Sequence, residues 1–256
     1  MNPRLQFMLD IIRKIGDFQH KNFRTEIEFE TKAGEMDIVS FVDRESEKMF
    51  HDAVNKIFPG DYILGEETYV KDYDYAQHTK LWIIDPLDGT LMYQRWIPNY
   101  CPMIAYVENG IVQMSALYFP QDDTLFHADR TWAYKNSQQI HVSEINTLSK
   151  GIFNVSTRTL LKRFTYEQIK NITQSLGRII DTCPTWNKLR MCLEGQNEWV
   201  ISLEWGVWDT VPGWFLIQQA GGKVTNFWSD TWDIFNPKVI FSNGIIHAEF
   251  QKLLEL

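Results

Sequence analysis

The chain has 256 residues, of which 44% are hydrophobic and 14% aromatic, so it is long enough to bury a core and too apolar for a disordered protein. Its formal net charge is -8 at pH 7 and no long basic run appears, which argues against broad binding to nucleic acids or anionic membranes, because Lys and Arg hold phosphate backbones. An acidic chain can still bind a small phosphate when metal ions supply the positive charge.

Cysteine usage and the amino terminus predict where the protein works. The three cysteines, Cys101, Cys183 and Cys192, show no metal-type spacing and indicate reduced residues of an intracellular protein. The amino-terminal segment lacks the continuous apolar region of a secretory signal, and no apolar run approaches the length of a transmembrane helix. We therefore expect a cytoplasmic protein with no membrane partner and no nucleic-acid partner.

The amino-terminal half is predicted to combine helices with a mainly antiparallel sheet. Apolar residues at helical spacing predict a helix over residues 3 to about 20, and a second helix over 44–57 has Asp43 as its expected amino-terminal cap. A brief helix and turn are expected over 91–98, and Asn109-Gly110 marks a hairpin turn. The predicted strands of this half cover residues 62–64, 81–84, 101–107, 111–119, 124–128, 132–134 and 139–142.

From residue 152 the predicted strands and helices alternate. The strands cover residues 153–156, 178–181, 198–203 and 239–241, and the helices cover 166–176, 186–193 and 247–254. A further helix opens near Trp208-Asp209 and reaches residue 220; we expect Pro212 in its first turn, which places Asp209 near the helix start. The fold class is thus α/β, with an α+β half over 1–145 and an α/β half over 146–256 in one continuous domain.

The stretch 81–90 places two carboxylates at the carboxyl end of a predicted buried strand. Pro86 fixes its own φ and biases Asp85 toward extended geometry, so Asp85 and Asp88 can face one point. Carboxylates and a backbone carbonyl are ligands that Mg²⁺ accepts, and Gly89 and Thr90 could offer N–H groups to an anion. Taken alone, the same residues more often form only a turn.

Other acids at predicted element ends have an ordinary explanation when each is considered alone. Glu66 and Glu67 follow Gly65 at the end of a short strand, where a pair of acids usually faces solvent. Capping alone would explain Asp43.

Taken together, these acids and their surroundings resemble the inositol monophosphatase family, the Mg²⁺-dependent and lithium-sensitive phosphatases related to fructose bisphosphatase. The resemblance covers essentially the whole chain, in the family's order, and it favours a metal site over a simple turn at 81–90. The matching segments are Gly65-Glu66-Glu67, Trp82-Ile83-Ile84-Asp85-Pro86-Leu87-Asp88-Gly89-Thr90, Trp208-Asp209 followed by Ala220-Gly221-Gly222 and, more weakly, Asp37-Ile38-Val39-Ser40 leading to Asp43.

The resemblance implies a set of metal ligands. Glu66, Asp85 and the carbonyl of Leu87 would hold one Mg²⁺, while Asp85, Asp88 and Asp209 would hold a second, so that Asp85 bridges the two. Two or three ions per site are expected.

The resemblance also implies catalytic and substrate-binding residues. Thr90 and Asp43 would position and deprotonate the attacking water, with Glu66 as a further catalytic residue, and Glu67 would lie just outside the ligands. The implied substrate-binding residues are Gly89, Thr90, Asp88, Asp209 and Glu204. The implied fold is a layered αβαβα sandwich with the site between the two halves. The resemblance also implies a homodimer and a small phosphorylated metabolite as the substrate.

The carboxy-terminal half departs from the family pattern. Cys183-Pro184-Thr185-Trp186-Asn187 stands where inositol phosphatases usually carry Gly-Ser or Gly-Thr, and the segment before Trp208 is short, as in the histidinol-phosphatase branch. The acid expected in that branch near Thr185 is nevertheless absent. Thr185, Lys188 and Arg190 are weaker substrate-side candidates.

Several functions follow from these observations. Scattered Lys and Arg favour a monophosphate, because a second phosphate needs a convergent basic cluster. Inositol monophosphate is the first candidate and histidinol phosphate the second, followed by 3'-phosphoadenosine 5'-phosphate and fructose bisphosphate. A catalytically silent metal-binding or phosphate-binding relative is a different class, but this chain retains Thr90, Asp43 and the metal acids.

Overall fold

The computed structural model describes residues 2–34, 37–203, 205–227, 229–236 and 238–255. Its helices are α1 (Pro3–Asn22), α2 (Phe41–Ile57), α3 (Thr90–Gln94), α4 (Thr157–Arg163), α5 (Tyr166–Ser175), α6 (Thr185–Leu193), α7 (Val207–Gln219) and α8 (His247–Glu255). Its strands are β1 (Phe29–Gly34), β2 (Asp37–Ser40), β3 (Tyr62–Gly65), β4 (Lys80–Asp88), β5 (Cys101–Glu108), β6 (Ile111–Phe119), β7 (Thr124–Asp129), β8 (Ala133–Lys135), β9 (Gln138–Gln139), β10 (Ile152–Asn154), β11 (Arg178–Ile180), β12 (Trp199–Ser202), β13 (Lys223–Asn226) and β14 (Val239–Ser242).

Strands β3 to β9 form a seven-stranded sheet in sequence order. Only the β3–β4 pair of this sheet is parallel. Successive side chains of a strand point to opposite faces, and both faces of β4 are covered by helices. Trp82 and Ile84 pack with residues of α1 and α2, such as Met8 and Phe50, whereas Ile83 packs with residues of α6 and α7.

A five-stranded sheet with the order β11-β10-β12-β14-β13 forms the second layer of strands. Its β10–β11 and β10–β12 pairs are parallel, and its other pairs are antiparallel. Val200 and Phe241 pack with α6 and α7 on one face, whereas Phe153 and Trp199 pack with α4, α5 and α8 on the other. The layers therefore follow the order α, β, α, β, α, which confirms the predicted sandwich.

Several predicted elements need correction. The antiparallel pair β1–β2 was not predicted. Helix α4 and strand β13 were not predicted, because both are too short to show a clear periodicity. Pro212 is the sixth residue of α7 and not part of its first turn, since the helix already begins at Val207.

The strands of each sheet come from one half of the chain, but the division at residue 145 stays a prediction. The three cysteines are unpaired, with Cys101 and Cys192 buried and Cys183 exposed. Within the described ranges, no helix combines the length and apolar character that crossing a membrane requires.

Candidate active site

The end of β4 brings Asp85 and Asp88 to one side of the sheet. Two residues three positions apart in a regular strand would point to opposite faces. Here Asp85 pairs with Met103 and Asp88 with Cys101, and the register shifts between these pairs. The partner strand advances by two residues while β4 advances by three, so one extra residue forms a bulge and both carboxylates share a face. The predicted end of this strand at Ile84 is therefore wrong, because β4 continues through the bulge to Asp88.

Helix α7 brings Asp209 to the same place. Ligand atoms of Asp85, Asp88 and Asp209 all lie within 4.8 Å of one another. The N–H of Gly206 donates to Asp209 Oδ2 at 2.6 Å, and the N–H of Trp186, at the start of α6, donates to Asp88 Oδ2 at 2.7 Å. The elements of the middle helical layer thus orient two of the three acids.

Asp85 and Asp88 are buried and Asp209 is half-buried. The three carboxylates are too close together to be fully ionised without a counter-charge. Burial, then repulsion from neighbouring acids, raises the pKa values of Asp85 and Asp209 well above their ordinary range. Burial also raises the pKa of Asp88 to about 7, although N–H donors such as that of Trp186 act in the opposite direction. A hard divalent cation bound by carboxylate oxygens would neutralise such a cluster, so these residues fit Mg²⁺.

Glu66 approaches the cluster from β3. Gly65 pairs with Ile84 of β4, and the N–H of Glu66 donates to the carbonyl of Ile84 at 3.3 Å. Glu66 also contributes, after burial, to the raised pKa of Asp85. Lys32, which sequence reasoning did not select, pairs its Nζ with Glu66 Oε1 at 2.9 Å and with Glu67 Oε1 at 2.6 Å.

Thr90 and Asp43 are directly paired. The Thr90 hydroxyl lies 2.9 Å from Asp43 Oδ1 and 3.0 Å from the carbonyl oxygen of Leu87. Burial raises the pKa of Asp43 to about 6, although hydrogen bonds from Ser40 and Thr90 act to lower it. Gly89, which precedes Thr90, has φ +98°, and a Cβ on it would lie 2.6 Å from the carbonyl oxygen of Asn99, so glycine is required at this turn.

The predicted capping role of Asp43 is wrong. The cap of α2 is Ser40, whose Oγ accepts the N–H of Val42 at 3.1 Å. Asp43 is the third residue of the helix, and its Oδ2 accepts the Ser40 N–H at 2.8 Å and the Ser40 hydroxyl at 2.6 Å. This reciprocal capping box leaves Asp43 Oδ1 available to Thr90.

Two predicted substrate-side cations have partners within the protein. Lys188 is 4% exposed, and its Nζ lies 3.1 Å from Asp181 Oδ1. Arg190 donates to Asp122 at 2.6 Å and to Glu194 at 3.3 Å. Glu204, the predicted substrate-side acid, lies outside the described residues. The N–H donors of Trp186 and Gly206 were also missed, since a main-chain contact leaves no sequence signal.

Comparisons with known proteins agree with this geometry. A family model described as "Inositol monophosphatase family" matches residues 1–255. A Thermotoga maritima protein named fructose-1,6-bisphosphatase/inositol-1-monophosphatase is 31% identical over 252 residues, which cover 98% of this chain and 95% of the relative. The structure of a Thermotoga maritima IMPase matches with a TM-score of 0.85 at 29% identity, covering 98% of this chain and 96% of that one.

A second solved structure gives a similar result. The extragenic suppressor protein SuhB from Bartonella henselae matches with a TM-score of 0.86 at 25% identity, covering 98% of this chain and 97% of that chain. The predicted family and the predicted enzyme class are thereby confirmed. The chain belongs to the inositol monophosphatase family, whose members are phosphoric monoester hydrolases.

Proposed function

We propose that this protein is a Mg²⁺-dependent phosphomonoesterase that hydrolyses a small polyol monophosphate, with inositol monophosphate as the first candidate substrate. The observation that carries the proposal is the cluster of Asp85, Asp88 and Asp209 together with the hydrogen-bonded pair of Thr90 and Asp43. One set of groups suits a divalent cation, and the other suits the handling of a proton from water.

Two overlapping groups of residues would hold the cations. Glu66, Asp85 and the Leu87 carbonyl would form one, and Asp85, Asp88 and Asp209 the other, for two or three Mg²⁺ ions. Paired cations about 4 Å apart neutralise a phosphate dianion and orient an attacking water. The closeness of the three aspartates and the burial of Asp85 and Asp88 support this assignment.

Thr90 and Asp43 would act on the attacking water. A hydroxyl has one proton, so Thr90 donates either to Asp43 or to the Leu87 carbonyl at any moment. When it donates to Asp43, the lone pairs of Oγ1 are free to accept a hydrogen bond from water. As the water attacks, its proton can pass to Thr90 Oγ1 while the hydroxyl proton of Thr90 passes to the Asp43 carboxylate. The N–H groups of Gly89 and Thr90 would donate hydrogen bonds to phosphate oxygens. Substrate binding would also involve Asp88, Asp209 and Glu204.

The internal pairing of Lys188 and Arg190 supports a monophosphate, because their charges are already balanced by Asp181, Asp122 and Glu194. Fructose bisphosphate is a second candidate, since the Thermotoga maritima relative carries both activities in its name. Histidinol phosphate and 3'-phosphoadenosine 5'-phosphate are further alternatives. We also propose, by resemblance to the family, a homodimer in the cytoplasm, which light scattering and cell fractionation would test.

The first experiment measures phosphate release from a panel of monophosphates and bisphosphates, with Mg²⁺ and with EDTA. We expect one monophosphate to be hydrolysed only with Mg²⁺. Asp85→Asn should lower kcat roughly a hundredfold or more, because a shared carboxylate ligand is lost. Asp52→Asn is the matched control, since Asp52 is an exposed residue of α2.

Three results would contradict the proposal. If no substrate is hydrolysed while the folded wild-type protein binds Mg²⁺, the protein is a catalytically silent relative. If hydrolysis proceeds in EDTA, or if Asp85→Asn behaves like Asp52→Asn, the metal assignment is wrong.

A further inference from the structure

Glu47 is a buried acid to which none of the roles above has been assigned. It lies on α2 one turn after Asp43, so the two side chains share a face of the helix. The residue is 2% exposed, and a carboxylate is costly to bury unless it has hydrogen-bond partners. Its position next to Asp43 suggests that this burial serves the site.

The carboxylate of Glu47 lies directly beneath the Gly65-Glu66-Glu67 segment. Its Oε2 accepts the N–H of Glu67 at 2.8 Å. A Cβ on Gly65 would overlap the same carboxylate, so the space left by the missing side chain of Gly65 is filled by Glu47. Among the described residues, Oε1 of Glu47 has no hydrogen-bond partner, and its nearest basic atom is His51 Nε2 at 3.6 Å.

The same segment is held from its other side by the sheet. Gly65 pairs with Ile84 of β4, and the N–H of Glu66 donates to the Ile84 carbonyl at 3.3 Å. The main chain around Glu66 is therefore fixed between a strand and a buried carboxylate. Lys32 contacts the carboxylates of Glu66 and Glu67, but it does not hold their main chain.

We propose that Glu47 is a positioning residue that fixes the main chain of residues 65–67 and thereby keeps the Glu66 carboxylate beside Asp85. The inference rests on the proposed function, in which Glu66 helps to hold a cation. On this view, α2 serves both sides of the site, because Asp43 holds Thr90 and Glu47, one turn later, holds the Glu66 segment. The glycine of the Gly65-Glu66-Glu67 segment is then required because it leaves room for Glu47.

The test compares Glu47→Met with Glu47→Gln in the full-length protein. Both variants remove the charge and have similar length, but only glutamine keeps an oxygen that can accept the Glu67 N–H. Calorimetric titration with Mg²⁺ alone should show binding weakened roughly tenfold to hundredfold in Glu47→Met, and close to wild type in Glu47→Gln and in the control Asp52→Asn. At saturating Mg²⁺, KM for the substrate should stay near the wild-type value.

Thermal melting separates positioning from general support of the fold. A merely structural role would lower Tm by the same amount with and without Mg²⁺ and leave the Mg²⁺ affinity unchanged. A positioning role instead reduces the rise in Tm that Mg²⁺ produces, because the affinity for the ion has fallen. If Glu47→Met does not fold, Gly65→Ala replaces it, since its Cβ would displace the Glu47 carboxylate and should weaken Mg²⁺ binding in the same way.

The outcomes that would overturn the inference are specific. Mg²⁺ affinity unchanged in Glu47→Met, or in Gly65→Ala, would show that the segment does not depend on Glu47. Equal weakening in Glu47→Met and Glu47→Gln would assign the effect to charge and not to the hydrogen bond. A wild-type protein that binds no Mg²⁺ would remove the proposed function and this inference together, whereas the other outcomes leave the proposed function standing.

Discussion

The Thr90 hydroxyl lies between two acceptors that come from different parts of the chain. Asp43 Oδ1 lies 2.9 Å away and the Leu87 carbonyl oxygen 3.0 Å away. Because burial raises the pKa of Asp43 to about 6, the side chain is mainly a carboxylate above that pH and accepts the hydroxyl proton. The pair therefore acts as one unit, and its proposed role in proton transfer depends on the hydroxyl oxygen of Thr90.

We expect Thr90→Ala to lower kcat about a hundredfold to ten-thousandfold, the usual range for losing proton transfer by a positioned side chain. Thr90→Ser keeps the hydroxyl and should retain most of the activity. The measurement is kcat at saturating Mg²⁺ for both variants, with Tm as a check on folding. A Thr90→Ala enzyme within a few-fold of wild type would exclude the hydroxyl from catalysis.

At the scale of elements, the start of α2 determines where Asp43 points. Ser40 caps the helix and also donates its hydroxyl to Asp43 Oδ2 at 2.6 Å. Helix α5 has the same kind of capping box, formed by the exposed Thr165 and the half-buried Gln168. This helix packs with α4 and α8 on the outer face of the five-stranded sheet. Substitution of the Thr165 cap is therefore a matched control for substitution of the Ser40 cap, which lies at the site.

We expect Ser40→Ala and Thr165→Ala each to lower the free energy of unfolding by about 1 kcal/mol, the usual cost of losing a cap. Only Ser40→Ala should also lower kcat, because Asp43 loses one of its two hydrogen bonds from Ser40. Denaturant melts and steady-state kinetics on both variants provide the measurement. Equal kcat values would show that the Ser40 hydroxyl does not orient Asp43.

At the scale of the whole molecule, the buried acids make folding sensitive to pH. Burial is the main cause that raises the pKa of Asp88 and of Glu67 to about 7 each, and that of Asp43 to about 6. Those of Asp85 and Asp209 are also raised. A raised folded-state pKa means that the folded protein binds more protons than the unfolded chain, so stability falls as pH rises through the folded-state pKa.

We therefore expect the EDTA-treated protein to melt at a lower temperature at about pH 8 than at about pH 6. His247 has the opposite effect, but its pKa is lowered to about 4, mainly by burial, so its titration falls mostly below this window. Mg²⁺ should reduce the difference, because the ion compensates the carboxylate charge. Melting curves at the two pH values, with EDTA and with Mg²⁺, test this, and a flat profile in EDTA would contradict it.

The long elements and the site motifs were predictable because their signals are local. Helix α1 shows a clear helical period, and the strands around Asn109-Gly110 show a hairpin turn between apolar runs. The short pair β1–β2 and strand β13 have no such pattern, since their pairing partners supply most of their stability. The capping role of Ser40 was missed for a different reason, because Ser and Asp are both favoured at a helix start.

The family, the layered fold and the kinds of groups at the site were predictable from the sequence alone, because acids beside Gly and Pro are recognised from their neighbours in the chain. Which of these groups lie in contact is seen only in the folded protein. The bulge after Asp85 depends on the pairing of β4 with β5. The approach of Asp209 from α7 and the contact of Glu47 with residues 65–67 depend on how helices pack against the sheet. Those contacts join residues far apart in the chain, and the spacing of residues along the sequence does not encode their distance in space.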